Sequence, residues 1–460
     1  MKTFTELNLS APLAQALAEV DYVEMTPVQA ATLPAILAGR DVLAQAQTGS
    51  GKTAAFALGL LAALDPQRLQ LQGLVLCPTR ELADQVSREI RRLARFIPNV
   101  KILTLCGGVP LRPHLASLAH EPHLVVGTPG RLLELIEKKA LPLPAVRTLV
   151  LDEADRMLDM GFGEAITGIL SAIPKPRQTL LFSATIPPPI RDISRRLQRD
   201  ALDVTVDDDP AVALIEQRFF EVDPSRKLAA LSGLLLQHRP ESAVVFCNTR
   251  QEVRTVASAL TAQKFTALAL HGELDQRERD ELLVCFANRS ATVLVASDVA
   301  ARGLDIADLP MVINYDLAND PDTHLHRIGR TGRAGKRGLA LSLCAPAEVP
   351  RARQIEQRTG ERLRWLPWVP GGRTERAPQP AFRTVIVDAG RQDKLRPGDL
   401  LGALTGDAGL PATAIGKIDI FPTRSYVAIA RDWHSQAVAR LRGGKIKGRN
   451  FRIRELDLSA

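Results

Sequence analysis

Short apolar runs recur along the first two hundred residues: Asp41-Val42-Leu43-Ala44, Leu74-Val75-Leu76, Ile102-Leu103-Thr104-Leu105, Leu124-Val125-Val126, Leu149-Val150-Leu151 and Leu180-Leu181-Phe182. Longer stretches of helical periodicity separate them. Strands that are apolar throughout, alternating with helices, predict a parallel sheet covered on both faces. After the acidic, turn-like Asp207-Asp208-Asp209-Pro210 the rhythm restarts with Ala243-Val244-Val245-Phe246, Ala267-Leu268-Ala269-Leu270, Val293-Leu294-Val295 and Val312-Ile313. Two consecutive α/β domains are expected, 1–207 and 208–365.

Proline and glycine then punctuate the stretch from Trp365-Leu366-Pro367-Trp368 to Ala377-Pro378-Gln379-Pro380, which predicts a linker over 366–380. Beyond it come Thr384-Val385-Ile386-Val387, a helical pattern over 397–404, Ile415-Gly416-Lys417-Ile418, Tyr426-Val427-Ala428-Ile429, a second helical pattern over 434–441, and Phe451-Arg452-Ile453-Arg454. That βαββαβ order predicts a small ferredoxin-like module over 381–457.

Composition adds bounds rather than a function. The 460 residues are 45% hydrophobic and 24% charged, which fits globular domains and disfavours disorder. A net charge of +8 would help attract a polyanion. The five cysteines, Cys77, Cys106, Cys247, Cys285 and Cys344, are scattered and odd in number, arguing against zinc sites and a disulfide framework. Polar and acidic residues in Met1-Lys2-Thr3-Phe4-Thr5-Glu6-Leu7 argue against a secretory signal, and the apolar stretch 54–64 is too short to span a bilayer. A soluble, cytoplasmic, membrane-free protein is expected.

The chemistry begins at Ala46-Gln47-Thr48-Gly49-Ser50-Gly51-Lys52-Thr53. A loop of this spacing leaves backbone bare to wrap phosphates, puts a lysine within reach of the β- and γ-phosphates, and offers Thr53 as a magnesium ligand. It follows a predicted strand and opens a predicted helix, the context in which a helix N-terminus faces the anion. Asp152 and Glu153 close the apolar run at 148–151, where a sheet's carboxyl edge would bring them beside that loop. Asp152 suits magnesium, and Glu153 suits orienting and deprotonating an attacking water. ATP and Mg2+ are the expected cofactors.

With these motifs in order, the chain resembles the DEAD-box RNA helicases from Phe4 to about Gly335, which implies two tandem RecA-like domains and an RNA-stimulated ATPase. Thr26-Pro27-Val28-Gln29 is similar to the Q motif; the resemblance implies that Gln29, with Thr26, reads adenine and that Phe4 stacks on it. Pro78-Thr79-Arg80, Gly107-Gly108 and Thr128-Pro129-Gly130-Arg131 resemble segments gripping one RNA strand, through Arg80, Gly108, Thr128 and Arg131. Ser183-Ala184-Thr185 resembles the motif coupling nucleotide state to strand separation.

In the second domain, His326-Arg327-Ile328-Gly329-Arg330-Thr331-Gly332-Arg333 resembles motif VI, implying γ-phosphate contacts by Arg330 and Arg333 and coupling by His326. An arginine brought to a transferring phosphoryl group stabilises its developing charge. Ala296-Ser297-Asp298-Val299-Ala300-Ala301-Arg302-Gly303-Leu304-Asp305 resembles motif V, implying nucleotide contact at Gly303 and Asp305 and RNA contact at Ser297. Asn248, Thr249, Gly272, Gln276 and Arg279 match further RNA-contacting segments. Three positions depart from the family pattern: Asp21 for a usual glycine, Ser297 for a usual threonine, and His324.

The tail's order is that of an RRM-like fold, with one aromatic, Tyr426, in its Arg424–Ala430 run. The basic segment around Lys445, Lys447 and Arg449 offers phosphates a second surface. Leu395-Arg396-Pro397-Gly398-Asp399-Leu400 and Gly443-Gly444-Lys445-Ile446-Lys447-Gly448 resemble the C-terminal domain of DbpA-type bacterial helicases. That resemblance implies 23S rRNA, at hairpin 92, as the partner and large-subunit precursors as the setting. The expected function is ATP-driven unwinding of short structured RNA by a monomer; the alternative is a nucleotide-gated RNA clamp or assembly scaffold without productive unwinding.

Overall fold

The computed structural model describes residues 2–47, 49–206, 215–301, 309–332, 337–369, 376–407 and 409–456. The chain forms two units that divide near residue 210.

The first unit is built on a parallel sheet of seven strands: β1 (Val42–Gln45), β2 (Gly73–Leu76), β3 (Ile102–Leu105), β4 (Leu124–Gly127), β5 (Thr148–Asp152), β6 (Gln178–Ser183) and β7 (Leu202–Thr205). Their order is β3-β4-β2-β5-β6-β1-β7. Central strands β2 and β4 are buried along their length, as expected of strands with helices on both faces. Val42, Ala44, Val75 and Val150 feed one core; Leu43, Leu74, Leu149 and Leu151 feed the other. The period of two along each strand therefore divides the apolar side chains between the helical layers. The phosphate-type loop, the acidic motif, the coupling segment and the segments after β2, β3 and β4 all leave the carboxyl edge of the sheet.

The second unit repeats the plan with β8 (Ile215–Glu221), β9 (Ala243–Cys247), β10 (Ala267–Leu270), β11 (Val293–Ser297), β12 (Met311–Asn314), β13 (Gly338–Cys344) and β14 (Trp365–Leu366), ordered β10-β11-β9-β12-β13-β8-β14. The expected linker is partly built into this domain: β14 pairs with β8, and Trp368 and Ala377 pack on its core.

The same unit carries the tail module, whose strands β15 (Phe382–Val387), β16 (Ile415–Ile420), β17 (Ser425–Ala430) and β18 (Ile453–Glu455) pair antiparallel in the order β16-β17-β15-β18. Helices Pro397–Gly402 and His434–Gly443 follow β15 and β17, giving the expected βαββαβ chain order. Val385, Val387, Val427 and Ile429 face the module's own helices. The alternate residues face elsewhere, as shown below.

Candidate nucleotide and RNA sites

β1 feeds the phosphate-type loop, which is anchored where Ala46 N–H donates to the Ser183 carbonyl of neighbouring β6 (2.8 Å). Gly49 and Gly51 adopt φ of +98° and +92°, a region that side chains disfavour. At Gly51 a Cβ would lie 2.6 Å from Gln29 Nε2 and 2.9 Å from Thr26 Oγ1. Bare backbone lets Gln29 Nε2 donate to the Gly51 carbonyl (3.0 Å), while Gln29 Oε1 accepts from Thr26 N–H (2.9 Å). Thr26 and Gln29 thus brace the loop and form a capping box on helix Pro27–Leu37. Ser50 closes the turn by donating to the Gln47 carbonyl (2.8 Å).

Phe4 is buried in the core, and its ring stacks on Tyr22 with centroids 6.0 Å apart. An apolar ring at the start of the chain gains more by joining that core than by facing water. Tyr22 is the half-exposed ring of the pair. Asp21, in the family's glycine position, takes φ +57°, a conformation that Asp tolerates better than most side chains.

Lys52 opens helix Lys52–Ala62, and its Nζ lies 3.0 Å from Asp152 Oδ1 at the end of β5, both groups buried. Burial opposes the charged form of Lys52, but the Asp152 and Glu153 carboxylates outweigh it and hold the ammonium above its ordinary pKa. Burial pushes the Asp152 carboxyl up, with Lys52 opposing. Both Asp152 oxygens and Lys52 Nζ lack a hydrogen bond of good geometry. Asp152 ends β5 and Thr53 follows Lys52 at the start of its helix; a carboxylate and a hydroxyl are the oxygen donors a hard cation takes, so these two residue types fit magnesium.

Glu153 stands at φ +53° and begins helix Ala154–Asp159; Arg156 Nη1 donates to its Oε2 (2.9 Å). Asp155 is a junction rather than a solvated turn residue. Its N–H donates to Ser183 Oγ (3.1 Å), and its Oδ2 accepts from both Thr185 N–H and Thr185 Oγ1 (2.9 Å each). The coupling segment is thereby hydrogen-bonded to the acidic motif.

Because β2, β4 and β3 are neighbours, the loops after them share one rim. Arg80 Nη1 donates to the Gly108 carbonyl (3.4 Å), and Thr128 Oγ1 accepts from Gly107 N–H (3.1 Å). Arg131 is mostly buried: Nη2 donates to the Val109 carbonyl (2.7 Å), Nη1 lies 2.6 Å from His114 Nδ1, and Nε pairs with Glu134 (3.0 Å). Burial and then Arg131 hold His114 below its ordinary pKa. Arg131 therefore shapes the rim from beneath.

In the second unit, β10, β11 and β9 are neighbours and present a corresponding rim. Thr249 caps helix Arg250–Ala262, accepting from Glu252 N–H (3.2 Å). Asn248 spends its amide internally, donating to the Leu317 carbonyl (3.0 Å) and accepting from Arg327 (2.7 Å). Gln276 bonds Asp280 (2.8 Å) and Arg279 bonds the Ala300 carbonyl (2.7 Å). Gly272 follows β10 with open space where a Cβ would sit, and Ser297 ends β11 largely buried.

Arg327 lies within the segment that resembles motif VI. It is the buried brace of this rim, bonding Asp298 (2.6 and 2.7 Å), Asn248 and the Asp316 carbonyl (2.7 Å). On the same helix, Pro321–Ile328, His326 is half-buried, and Arg330 follows it, mostly buried. Thr48, Gly303, Asp305 and Arg333 lie outside the described residues.

The tail resolves which of its surfaces is open. Ile386 and Tyr426, on the sheet face turned from the module's helices, pack against Val284 of helix Gln276–Ala287. Glu281 of that helix accepts from Arg424 (2.6 Å) and Tyr426 Oη (3.1 Å). Thr384 Oγ1 meets Asn288 Nδ2 and Ser290 Oγ (2.9 Å each). The one aromatic of β17 is therefore spent on the second domain rather than offered to bases.

The basic segment instead forms a tight turn. Ile446 and Arg449 exchange both backbone bonds (2.8 and 3.1 Å), while Lys447 and Gly448 take φ of +53° and +75°. Lys445 and Arg449 are exposed without an ion pair to another described residue; Lys447 is tied to the Lys394 carbonyl (3.0 Å) and Asp399 (3.4 Å).

Residues 26–193 match the DEAD/DEAH box helicase family, 226–335 the helicase conserved C-terminal domain, and 384–455 the DbpA RNA binding domain. The ATP-dependent RNA helicase DbpA of Escherichia coli is 53% identical over 99% of this chain and 100% of its own. The DEAD-box ATP-dependent RNA helicase CshA of Bacillus cereus is 44% identical over 79% of this chain and 69% of its own. Among solved structures, S. cerevisiae Dbp5 bound to RNA and ADP BeF3 covers 80% of this chain and 96% of its own, at 30% identity and TM-score 0.72. The phosphate loop at Lys52, the acidic strand end at Asp152 and these matches agree: the chain belongs to the DEAD-box ATP-dependent RNA helicases and carries a DbpA-type RNA-binding domain.

Proposed function

We propose that this helicase is anchored by its tail on a structured element of 23S rRNA, in the hairpin 92 region, and remodels neighbouring RNA during large-subunit assembly. The observation that carries the reading is the exposed basic turn with Lys445 and Arg449, on a module whose sheet face is already covered by helix Gln276–Ala287. Two exposed cations on a fixed turn suit phosphates of a folded RNA better than stacked bases of a flexible strand.

Lys52 and the backbone of 49–51 hold the phosphates, while Gln29 and Thr26 set that loop against the adenine pocket. Thr53 and Asp152 would hold a magnesium ion, which neutralises phosphate charge when bound. Glu153 orients a water and takes its proton as the water oxygen bonds the γ-phosphorus and the bond to the β–γ bridging oxygen breaks, leaving ADP and phosphate. Arg330 and Arg333, at the motif VI positions, would stabilise the charge developing on the γ-phosphate. Arg80, Thr128, Thr249 and Arg279 line the rims that hold one strand. Asp155 relays nucleotide state to Ser183 and Thr185. The protein acts as a cytoplasmic monomer.

Binding competition tests the anchor. A fragment containing hairpin 92 should outcompete scrambled RNA and DNA, and Lys445→Glu with Arg449→Glu should erase that preference. Equal competition by scrambled RNA would reject the anchored reading.

A further inference from the structure

We propose that Arg156 is a positioning residue for ATP hydrolysis, holding the carboxylate of Glu153 in its working orientation. The inference rests on the assignment of Glu153 as the water-activating group and goes beyond it, because none of the recognised motif positions includes Arg156.

The geometry is specific. The Arg156 and Glu153 side chains are 6% and 3% exposed, and Nη1 donates to Oε2 at 2.9 Å. In a site this closed to water, the guanidinium that donates to one carboxylate oxygen sets the direction of the other. Spacing of three along one turn brings the two side chains onto the same side of the helix start. Glu153 itself sits at φ +53°, a conformation that costs most side chains about 1 kcal/mol or more.

The turn carrying Arg156 is fixed on its other sides. Arg156 N–H donates to Asp155 Oδ1 (2.9 Å), and the same Asp155 carboxylate receives Thr185 through Oδ2. Met157, the next residue, is fully buried in the core. Asp155 thus ties this turn to the coupling segment while Arg156 ties it to Glu153. One short helix, Ala154–Asp159, holds the group that responds to strand separation and the group that orients the base.

A planar guanidinium fixes the plane of a carboxylate, whereas an ammonium supplies charge without that plane. Arg156→Met should therefore lower kcat of RNA-stimulated ATP hydrolysis roughly 10- to 100-fold, the scale of a misplaced catalytic group. KM for ATP and the RNA affinity should stay within about twofold, because Lys52 and both rims are untouched. Arg156→Lys should fall between the parent and Arg156→Met.

The test measures steady-state and single-turnover hydrolysis for the full chain, Arg156→Met, Arg156→Lys, Glu153→Gln and the double variant Glu153→Gln/Arg156→Met. Rates are normalised to sites titrated with a tight-binding nucleotide analogue, so partial folding does not enter. If Arg156 acts through Glu153, the double variant is no slower than Glu153→Gln alone. Parent-like kcat for Arg156→Met, or a loss that multiplies undiminished in the double variant, overturns the proposal. Normal turnover by Glu153→Gln overturns instead the assignment of Glu153 on which it rests.

Discussion

Replacing Thr384 by valine preserves shape and deletes one hydroxyl at the joint between the tail module and the second domain. That hydroxyl meets Asn288 Nδ2 and Ser290 Oγ at 2.9 Å, and accepts a weaker contact from Cys285 Sγ at 3.4 Å. Asn288 and Ser290 are 5% and 1% exposed, so water does not readily replace what is lost. Each buried polar group left unsatisfied costs about 1–3 kcal/mol. With Ser290 free to rotate its hydroxyl and Asn288 Oδ1 still bonded to Ser290 N–H, the lower part of the range applies, and the joint should weaken by about 2–3 kcal/mol in all. Native-state hydrogen exchange reads this directly. Amides of β15 and of helix Gln276–Ala287 should exchange about 30- to 150-fold faster, while those of β2 and β4 in the first unit stay unchanged. Protection in β15 within a factor of two of the parent would refute the reasoning, because it would mean the hydroxyl network contributes nothing to holding the module.

His324 is buried and its pKa is pushed down to about 3 by burial and then by Arg327. Its unfolded form takes a proton near 6.5, so its contribution is complete above that value and is lost as pH falls toward 3; between pH 7 and 5 the loss is about 2 kcal/mol. His324→Asn should flatten the pH dependence of the urea midpoint for the second unit by that amount, and an unchanged slope would contradict the assignment. All five cysteines are buried, with burial raising the thiols of Cys106 and Cys344 to about 12; a thiol reagent should titrate none in the native protein and all five after unfolding. Lys445→Glu or Arg449→Glu should each weaken RNA binding and reduce the salt slope by about one, while Lys447→Glu has a smaller effect because Asp399 and the Lys394 carbonyl already engage it.

Apolar runs without alternation announced β2, β4, β5 and β9, because strands with helices on both faces need apolar residues throughout. The same signal missed β8, where Ile215-Glu216-Gln217-Arg218-Phe219-Phe220-Glu221 mixes charges into a strand near the sheet's edge. It missed β7 for the same reason, since only Val204 of its four residues is buried. Lys52 and Asp152 were legible because phosphate chemistry demands fixed residue types at fixed spacing, and the structure places them 3.0 Å apart. The core position of Phe4 was not legible, since a ring suited to stacking on adenine is equally suited to a core. Thr384, Glu281 and Arg424 gave no warning: a strand threonine and two surface-type charges gain meaning only when two folded domains meet. Arg156 was invisible as a lone charge beyond a motif, and only its buried partner distinguishes it.

The proposed role of the tail's basic turn is to select the RNA on which the core spends ATP. Its most direct measurement is ATP turnover and duplex release by the full chain, stimulated in parallel by hairpin-92-containing 23S rRNA, unrelated RNA of equal length and DNA, with Lys445→Glu/Arg449→Glu as comparison. Strong stimulation is expected from the ribosomal fragment at concentrations where unrelated RNA and DNA give little, and the double variant should lose it while stimulation by high concentrations of unrelated RNA persists. Equal stimulation by unrelated RNA, or a double variant that still prefers the hairpin, would contradict it.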